Sequence, residues 1–348
     1  MIGRRGLLTG GLAALAIPHA LAQGTAVPDG ASLTDGAGRT VPIPAMVQRV
    51  FAAGPPAAIL LYTLAPDLLI GWPRALSSEE RDLLLLEIGA RPETGRITGR
   101  GNTANLEVVL ALKPDLILDS GSTRGTFASL ADRVQEQTGI PYALLDGRLS
   151  ATPKAYRDLG RLIGRPEDGE RMARASEAIL TRVAERIARV PQGKRPRVYV
   201  ARGPRGLETG RGTSINVESL ALIGAVNVAG EEGGGLATVS IEQVLAWDPD
   251  VIVTIDRSFA ASVRDDPAWA PVRAVREGRV HLSPRLPFGW IDFPPSVNRL
   301  IGLLWLGKIL HPELFPEDML ATARGFYQTF YHVAPSDDAL ARVLAGRE

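Results

Sequence analysis

The sequence predicts an α/β protein built as two Rossmann-like lobes with mainly parallel sheets, joined by a single long helix, with a ligand cleft between the lobes. Three observations carry this. The segment from Asn105 to Leu118 recurs as Ser240 to Val253, identical at seven of fourteen positions, with Glu107 and Glu242 lying 135 residues apart. Strands and helices alternate through both halves, which is the pattern of parallel sheets. Between the halves the pattern turns helical over a stretch long enough to bridge two bodies. One repeated unit per half, at a domain-sized period, implies two similar lobes, and paired lobes commonly hold a ligand between them.

Taken in order, the chain opens with Arg4-Arg5, an apolar run from Gly6 to Ile17, and Ala20-Leu21-Ala22 just before Gln23. A positive start, an apolar run of about a dozen residues and an A-x-A site mark a secretory signal peptide. Residues 1–22 are therefore expected to be removed. The run falls short of the ~20 apolar residues that cross a bilayer. The arginine pair also fits a twin-arginine export signal, and both export routes stay open.

After a lead-in of small residues, Leu33–Pro42 reads as a hairpin around a Gly-rich turn. Arg49–Ala53 reads as a buried strand, broken by Gly54-Pro55-Pro56; a helix to Leu64 and a strand at Leu68–Trp72 complete a first βαβ unit. The first repeat copy is a short amphipathic helix capped by Asn105, a Pro-Asp turn and a strand at Leu116–Leu118. A loop at Ser120–Thr126, a helix through Gln137 and a strand at Tyr142–Leu145 finish the N-terminal lobe, residues 23–151. Residues 152–192 form the helical linker, punctuated by Gly164-Arg165-Pro166. Within it Met172, Ala175, Ile179, Val183 and Ile187 make one apolar stripe. About twenty residues at helical rise reach ~30 Å.

The C-terminal lobe, residues 193–348, opens with strand Arg197–Ala201 and helix Asn216–Ile223. The second repeat copy follows, capped by Ser240, with its strand at Val251–Ile255. Then come helix Pro267–Val275, strand Val280–Leu282 and a last long helix from Pro295 to about Leu310.

At 348 residues, 45% apolar and 22% charged, the composition is that of an ordinary globular protein with room for two cores. Net charge is +1, or −1 without the signal segment, and no block of Lys and Arg suggests nucleic acid. Cysteine is absent, so an exported form has neither disulfides nor a cysteine for a lipid anchor. The expectation is a freely soluble periplasmic monomer.

Enzyme machinery is missing at the level of local motifs. There is no G-x-S-x-G, P-loop, H-E-x-x-H or G-x-G-x-x-G after a strand. His281, His311 and His332 have no ligand spacing, so neither a metal site nor a cofactor is expected. The loops at strand ends share a different chemistry. Arg202, Arg205 and Arg211 follow the first strand of the second lobe, Arg257 the next and Arg285 the third, the last leading into Phe288-Gly289-Trp290-Ile291-Asp292-Phe293. In the first lobe, Arg100 precedes the repeat, and Ser120, Ser122, Thr123 and Arg124 follow it. Guanidinium is a fixed cation with a planar donor fork suited to carboxylates and other oxyanions. Gathered at one edge of both sheets, the set predicts a cleft for an anionic ligand, with Phe288 and Trp290 adding flat apolar contact. Glu107 and Glu242, each alone, read as solvent-facing carboxylates near a helix start. As a matched pair they suit a two-fold partner.

These residues carry a resemblance. Thr34-Asp35-Gly36-Ala37-Gly38-Arg39-Thr40-Val41, the stretch Asn105-Leu106-Glu107 through Lys113-Pro114-Asp115-Leu116-Ile117, and Ser240-Ile241-Glu242-Gln243-Val244-Leu245 resemble the periplasmic substrate-binding proteins of ABC importers for ferric siderophores, haem and vitamin B12. The likeness runs from about Leu33 to Pro312. It implies two lobes on one fairly rigid helix, ligand between them, and Glu107 and Glu242 as lobe-tip carboxylates that dock on arginines of a permease dimer with its ATPase. It also places Trp290 and Asp292 in the ligand loop of the second lobe. Vitamin B12-binding relatives carry a tryptophan where this chain has Gly99-Arg100-Gly101, which disfavours a corrinoid. The leading expectation is a non-catalytic protein that captures an anionic iron complex. Molybdate, a polycarboxylate cofactor, haem or a corrinoid are alternatives, with an exported enzyme or a sensor domain as readings of other classes.

Overall fold

The computed structural model describes residues 30–99, 105–212, 214–230 and 233–346. The expected signal peptide and Arg100 lie outside the described residues.

An antiparallel hairpin of β1 (Ser32–Thr34) and β2 (Thr40–Pro42) leads the chain. The first parallel sheet has the order β3 (Val50–Ala52), β4 (Leu116–Gly121), β5 (Tyr142–Asp146), with Phe51 beside Ile117 and Leu118 beside Ala143. The second half contributes β6 (Arg197–Ala201), β7 (Glu208–Gly210), β8 (Val226–Asn227), β9 (Leu236–Thr238), β10 (Val251–Thr254) and β11 (Val280–Leu282). Its parallel sheet runs in the order β11-β10-β6-β8, while β7 and β9 pair antiparallel. The α/β class with parallel sheets is as the sequence predicts.

Parallel strands covered on both faces read as continuous apolar runs, because both alternating sets of side chains are buried. One set, with Val50, Leu116 and Leu118 from the first sheet and Val198, Val200, Val251 and Val253 from the second, enters a single apolar core that runs through both halves. Met172, Val183 and Ile187 of the linker helix and Leu300, Leu303 and Leu306 near the C-terminus join the same core. The other sets face outward into separate clusters. Phe51, Ile117 and Tyr142 pack with Val109, Ala131 and Val134, and Tyr199 and Ile252 pack with Phe259 and Trp269.

The linker consists of a helix at Thr152–Leu162 and the long helix Pro166–Ile187. Pro166 starts the latter with φ already suited to a helix, Glu167 and Asp168 occupy its positive end, and Arg186 its negative end. At 22 residues it is about 33 Å long.

A buried arginine ties the halves behind the cleft. Arg299, 1% exposed, donates to Ile215 O at 2.7 Å and Glu218 Oε1 at 2.6 Å, and to Gly147 O, just past β5, at 2.8 Å. Glu218 Oε1 also accepts the Leu149 N–H at 2.6 Å. The burial works against the Arg299 charge and lowers its proton affinity, with the Glu218 carboxylate as the opposing influence. The C-terminal segment returns to the first lobe, where Tyr62 Oη donates to Tyr331 O at 2.7 Å.

Several elements differ from expectation, each for a local reason. Instead of a strand at Leu68–Trp72, Pro66 opens a single 3-10 turn, and only Leu69 and Trp72 make isolated bridges, to Val50 and Glu93. The helix expected at Pro267–Val275 is confined to Arg273–Arg276; Pro267 and Pro271 lack the N–H a helix interior needs. The last long helix begins at Arg299, after a Pro-Pro-Ser lead-in. The antiparallel β7–β9 pair carries no strong alternation, is closed only after an intervening helix and strand, and was not expected from the sequence.

Candidate functional site

The carboxyl ends of β6, β10 and β11 open on a cleft of about 300 Å3 whose facing wall carries Arg74 and Glu80 of the first lobe. Ligands of open parallel sheets gather at such strand ends, because successive loops converge there. Here β6 delivers Arg202, β10 delivers Ile255 and Asp256, and β11 delivers Ser283, Pro284 and Arg285. Pro287, Phe288, Gly289, Asp292 and Phe293 follow on one loop. That loop is seated on the last long helix at Gly302, where any Cβ would fall 1.8 Å from Trp290 O. Glycine is the residue that permits the approach.

Arg202 is almost wholly buried and clamped between two carboxylates. Its Nε lies 3.0 Å from Glu208 Oε1, and its Nη1 pairs closely with Asp292 Oδ2. Asp292, 0% exposed, accepts on Oδ1 from Asn216 Nδ2 at 2.8 Å and from the Phe293 N–H at 2.7 Å. A cation so compensated is first a support for the loop. On the opposite wall Glu80 grips Arg74 through two bonds, at 2.8 and 2.5 Å, and Glu80 Oε2 also accepts the Ser77 N–H at 2.8 Å in a capping box. These contacts raise the proton affinity of Arg74. Arg285 is exposed at the cleft, and its charge is one influence holding Glu79 of the first lobe below the usual carboxylate range, after Glu79's own backbone N–H and Ser77.

Phe293 is 67% exposed and adopts φ of 60°. A bulky residue in the left-handed region costs about 1–3 kcal/mol and persists only where its surroundings over-determine it. Its flanks are held on both sides: Asp292 accepts the Phe293 N–H, and Asn298 Nδ2 donates to Pro294 O at 3.1 Å.

In the first lobe, Asp119 in the second half of β4 is buried and accepts from Thr98 Oγ1 at 3.1 Å, the Ser120 N–H at 2.9 Å and Tyr142 Oη at 3.0 Å. Burial nevertheless pushes its pKa up.

Of the residues expected from the sequence, the structure brings Arg202, Arg285, Asp292 and Phe288 together at the cleft, with Phe293, which was not singled out, beside them. Trp290 is a correction: expected to face ligand, it is 0% exposed within the central core, because the loop's apolar side turns towards the last long helix. Arg124 is exposed at the start of the helix Gly125–Thr138 and does not line the cleft. Arg205 is exposed outside the cleft lining, and Arg257 donates to Gly346 O near the C-terminus. Arg74, Glu80 and Glu208 were missed. Ser77-x-x-Glu80 is a legible capping box, but nothing local says that its glutamate also holds an arginine of the cleft.

Glu107 and Glu242 are exposed in the first turns of the equivalent helices Leu106–Leu112 and Ile241–Trp247. The Ser240 hydroxyl, followed by the Glu242 backbone N–H, holds the Glu242 carboxyl below its usual range. No helix among the described residues is long and apolar enough to cross a membrane.

Known proteins share this frame. The molybdate-binding protein MolA of Haemophilus influenzae is 28% identical over 275 residues, covering 72% of this chain and 76% of the relative. The solved ABC transporter solute binding protein of Sulfurospirillum deleyianum superposes with a TM-score of 0.81 at 28% identity, over 90% of this chain and 99% of the other. Molybdate-bound MolA gives 0.72 at 23% identity, over 88% and 99%, a likeness of fold. Residues 90–285, more than half of the chain, match the periplasmic binding protein family. With the repeated lobe units and the cleft at their strand ends, that match makes this chain a member of the periplasmic binding protein family.

Proposed function

We propose that this protein is exported through its N-terminal segment, captures an anionic metal complex of ferric-chelate size in the periplasm, and delivers it unchanged to an ABC importer. The observation that carries the ligand class is the cleft lining: three guanidinium groups, Arg74, Arg202 and Arg285, beside the apolar faces of Phe288 and Phe293. Arginine forks recognise ligand oxygens, while aromatic rings favour a ligand with organic surface. Glu80, Glu208 and Asp292 are engaged with Arg74 and Arg202 and fix the forks in place; with Asp256 the lining holds four carboxylates against three guanidinium groups, so recognition rests on directed donors rather than on a net positive field. Glu107 and Glu242 are the docking carboxylates for the permease, one per lobe.

A second reading, a bare oxyanion such as molybdate, is favoured by the similarity to the molybdate-binding protein MolA. Calorimetric titration of the purified protein with molybdate, an iron(III) catecholate, an iron(III) hydroxamate and haemin separates the two. The proposal expects micromolar or tighter binding of at least one chelate, recovered chemically intact. Tight molybdate binding with no chelate binding rejects the chelate and leaves the oxyanion.

A further inference from the structure

Single exposed apolar side chains are ordinary on protein surfaces, so Phe293 needs more than exposure to signify. It has more. Of the large hydrophobic residues exposed among the described residues, Met46, Leu86, Val108, Leu110, Phe127, Val226 and Phe293, only Phe293 lines the cleft. Its backbone is held at φ 60°, a conformation L side chains rarely adopt. The preceding Asp292 carboxylate anchors the peptide plane that leads into Phe293 by accepting the Phe293 N–H at 2.7 Å, and Asp292 is itself held by Asn216 and Arg202. The arrangement turns an aromatic ring outward on a rigid, hydrogen-bonded base. A glycine would occupy the same backbone without strain, so the phenyl ring is there despite the conformation it occupies.

We propose that Phe293 is a stacking platform that selects a ligand presenting a flat unsaturated face, an aryl- or porphyrin-type metal chelate, over a bare tetrahedral oxyanion. This rests on reading the cleft as a site for a metal chelate and names the face of that ligand the protein grips. Flat π-systems stack in offset geometry on an exposed ring, and with the backbone beneath it anchored only two side-chain torsions remain to be ordered on binding. A tetrahedral oxyanion offers no such face, and its oxygens would meet only the arginines.

The test titrates the parent, Phe293→Ala, Phe293→Tyr and Phe293→Gly with an iron(III) catecholate, haemin, an iron(III) hydroxamate and molybdate, and records the melting temperature of each variant. The expected result is at least a tenfold loss of catecholate or haemin affinity in Phe293→Ala and Phe293→Gly, with Phe293→Tyr close to the parent. Hydroxamate affinity, which gains organic contact but no stacked face, should fall by less than catecholate or haemin affinity, and molybdate affinity should fall least. Phe293→Gly should melt no lower than Phe293→Ala, because glycine tolerates the positive φ; this guards against misreading a folding defect as lost stacking. Equal catecholate or haemin affinity in the parent and Phe293→Ala overturns the platform while leaving the chelate reading intact. A parent that binds molybdate and no chelate overturns both. A parent that binds only the hydroxamate keeps the chelate reading and overturns the aryl face.

Discussion

The two copies of the repeated unit agree down to individual hydrogen bonds and then part at the strand ends. In the first lobe, Asp115 Oδ2 accepts the Gln48 and Arg49 N–H groups at 2.8 and 2.9 Å, and the Arg49 guanidinium donates to Leu112 O at 2.7 Å. In the second, Asp250 Oδ2 accepts the Arg197 N–H at 2.8 Å, and Arg197 donates to Trp247 O at 2.8 Å. Both helices end on a left-handed residue, Lys113 at φ 48° and Asp248 at φ 40°. So the turn carboxylate starts the neighbouring strand, and the arginine leading that strand satisfies the helix's orphan carbonyls. Past the strands the likeness stops. β3 runs into Gly54, which opens the helix Pro55–Leu64 and where a Cβ would fall 2.7 Å from Thr98 Oγ1. β6 runs instead into Arg202 and a hairpin. In the second half of the middle strand the first lobe has buried Asp119 where the second has Thr254. The frame is shared between lobes through its turn chemistry, while the residues immediately beyond it differ, and the proposed ligand contacts lie among those.

If Arg202 is the clamp that makes the second lobe's edge different, its loss is the largest effect expected. Arg202→Met strands the Asp292 carboxylate in the interior without its cation, and breaking a buried pair costs about 3–5 kcal/mol. Urea denaturation reads it directly. Adding Asp292→Asn should recover a substantial part, since the stranded charge is then gone. A double variant no more stable than the single would mean that the pair does not couple the hairpin to the loop.

Asp119 sharpens the contrast from the other lobe. Its native pKa is raised, whereas in the unfolded chain it titrates near 3.9. Below the unfolded value both states are protonated and the carboxyl's contribution is fully present. As pH rises through the native value that contribution is lost, because the unfolded chain ionises more readily. Asp119→Asn cannot ionise, so urea midpoints compared from about pH 3.5 to about pH 7 should shift in favour of the variant as pH rises. Parallel profiles would mean that burial at this position does not disfavour the charge.

The smallest stability effect is expected where the lobes are alike. Glu107→Arg with Glu242→Arg should leave the melting temperature and ligand affinity unchanged, because both side chains face solvent. Uptake in reconstituted vesicles should collapse, since two matched contacts with a two-fold permease become repulsive together. Normal uptake would remove the docking role, and lost ligand affinity would place these residues in the binding site.

Much of the frame was legible because periodic and local signals determined it. The capping residues Asn105 and Ser240, the Pro-Asp turns and the apolar runs of β4, β6 and β10 each act within a few residues. The cleft was legible only in part. The second lobe's loop residues follow their strands directly, so Arg202, Arg285 and Asp292 could be located from the strand ends. Arg74 could not, because it reaches the cleft only through tertiary packing. Trp290 misled for the opposite reason: an aromatic on a ligand loop has two sides to face, and the contact with Gly302 that decides between them lies a dozen residues on in the chain.

The pin at Arg299 has a consequence for how the molecule comes apart. One guanidinium satisfies carbonyls of both halves, at Gly147 and Ile215, while Glu218 holds the Leu149 N–H as well. Releasing either half would leave these groups unpaired beside an apolar surface that both halves now share. Melting one lobe therefore removes support from the other, and a single cooperative transition, coincident by two probes in urea, is the expected outcome despite the two-part topology. A chain severed at the linker would yield two fragments that each keep their own outer cluster and expose their share of the common core.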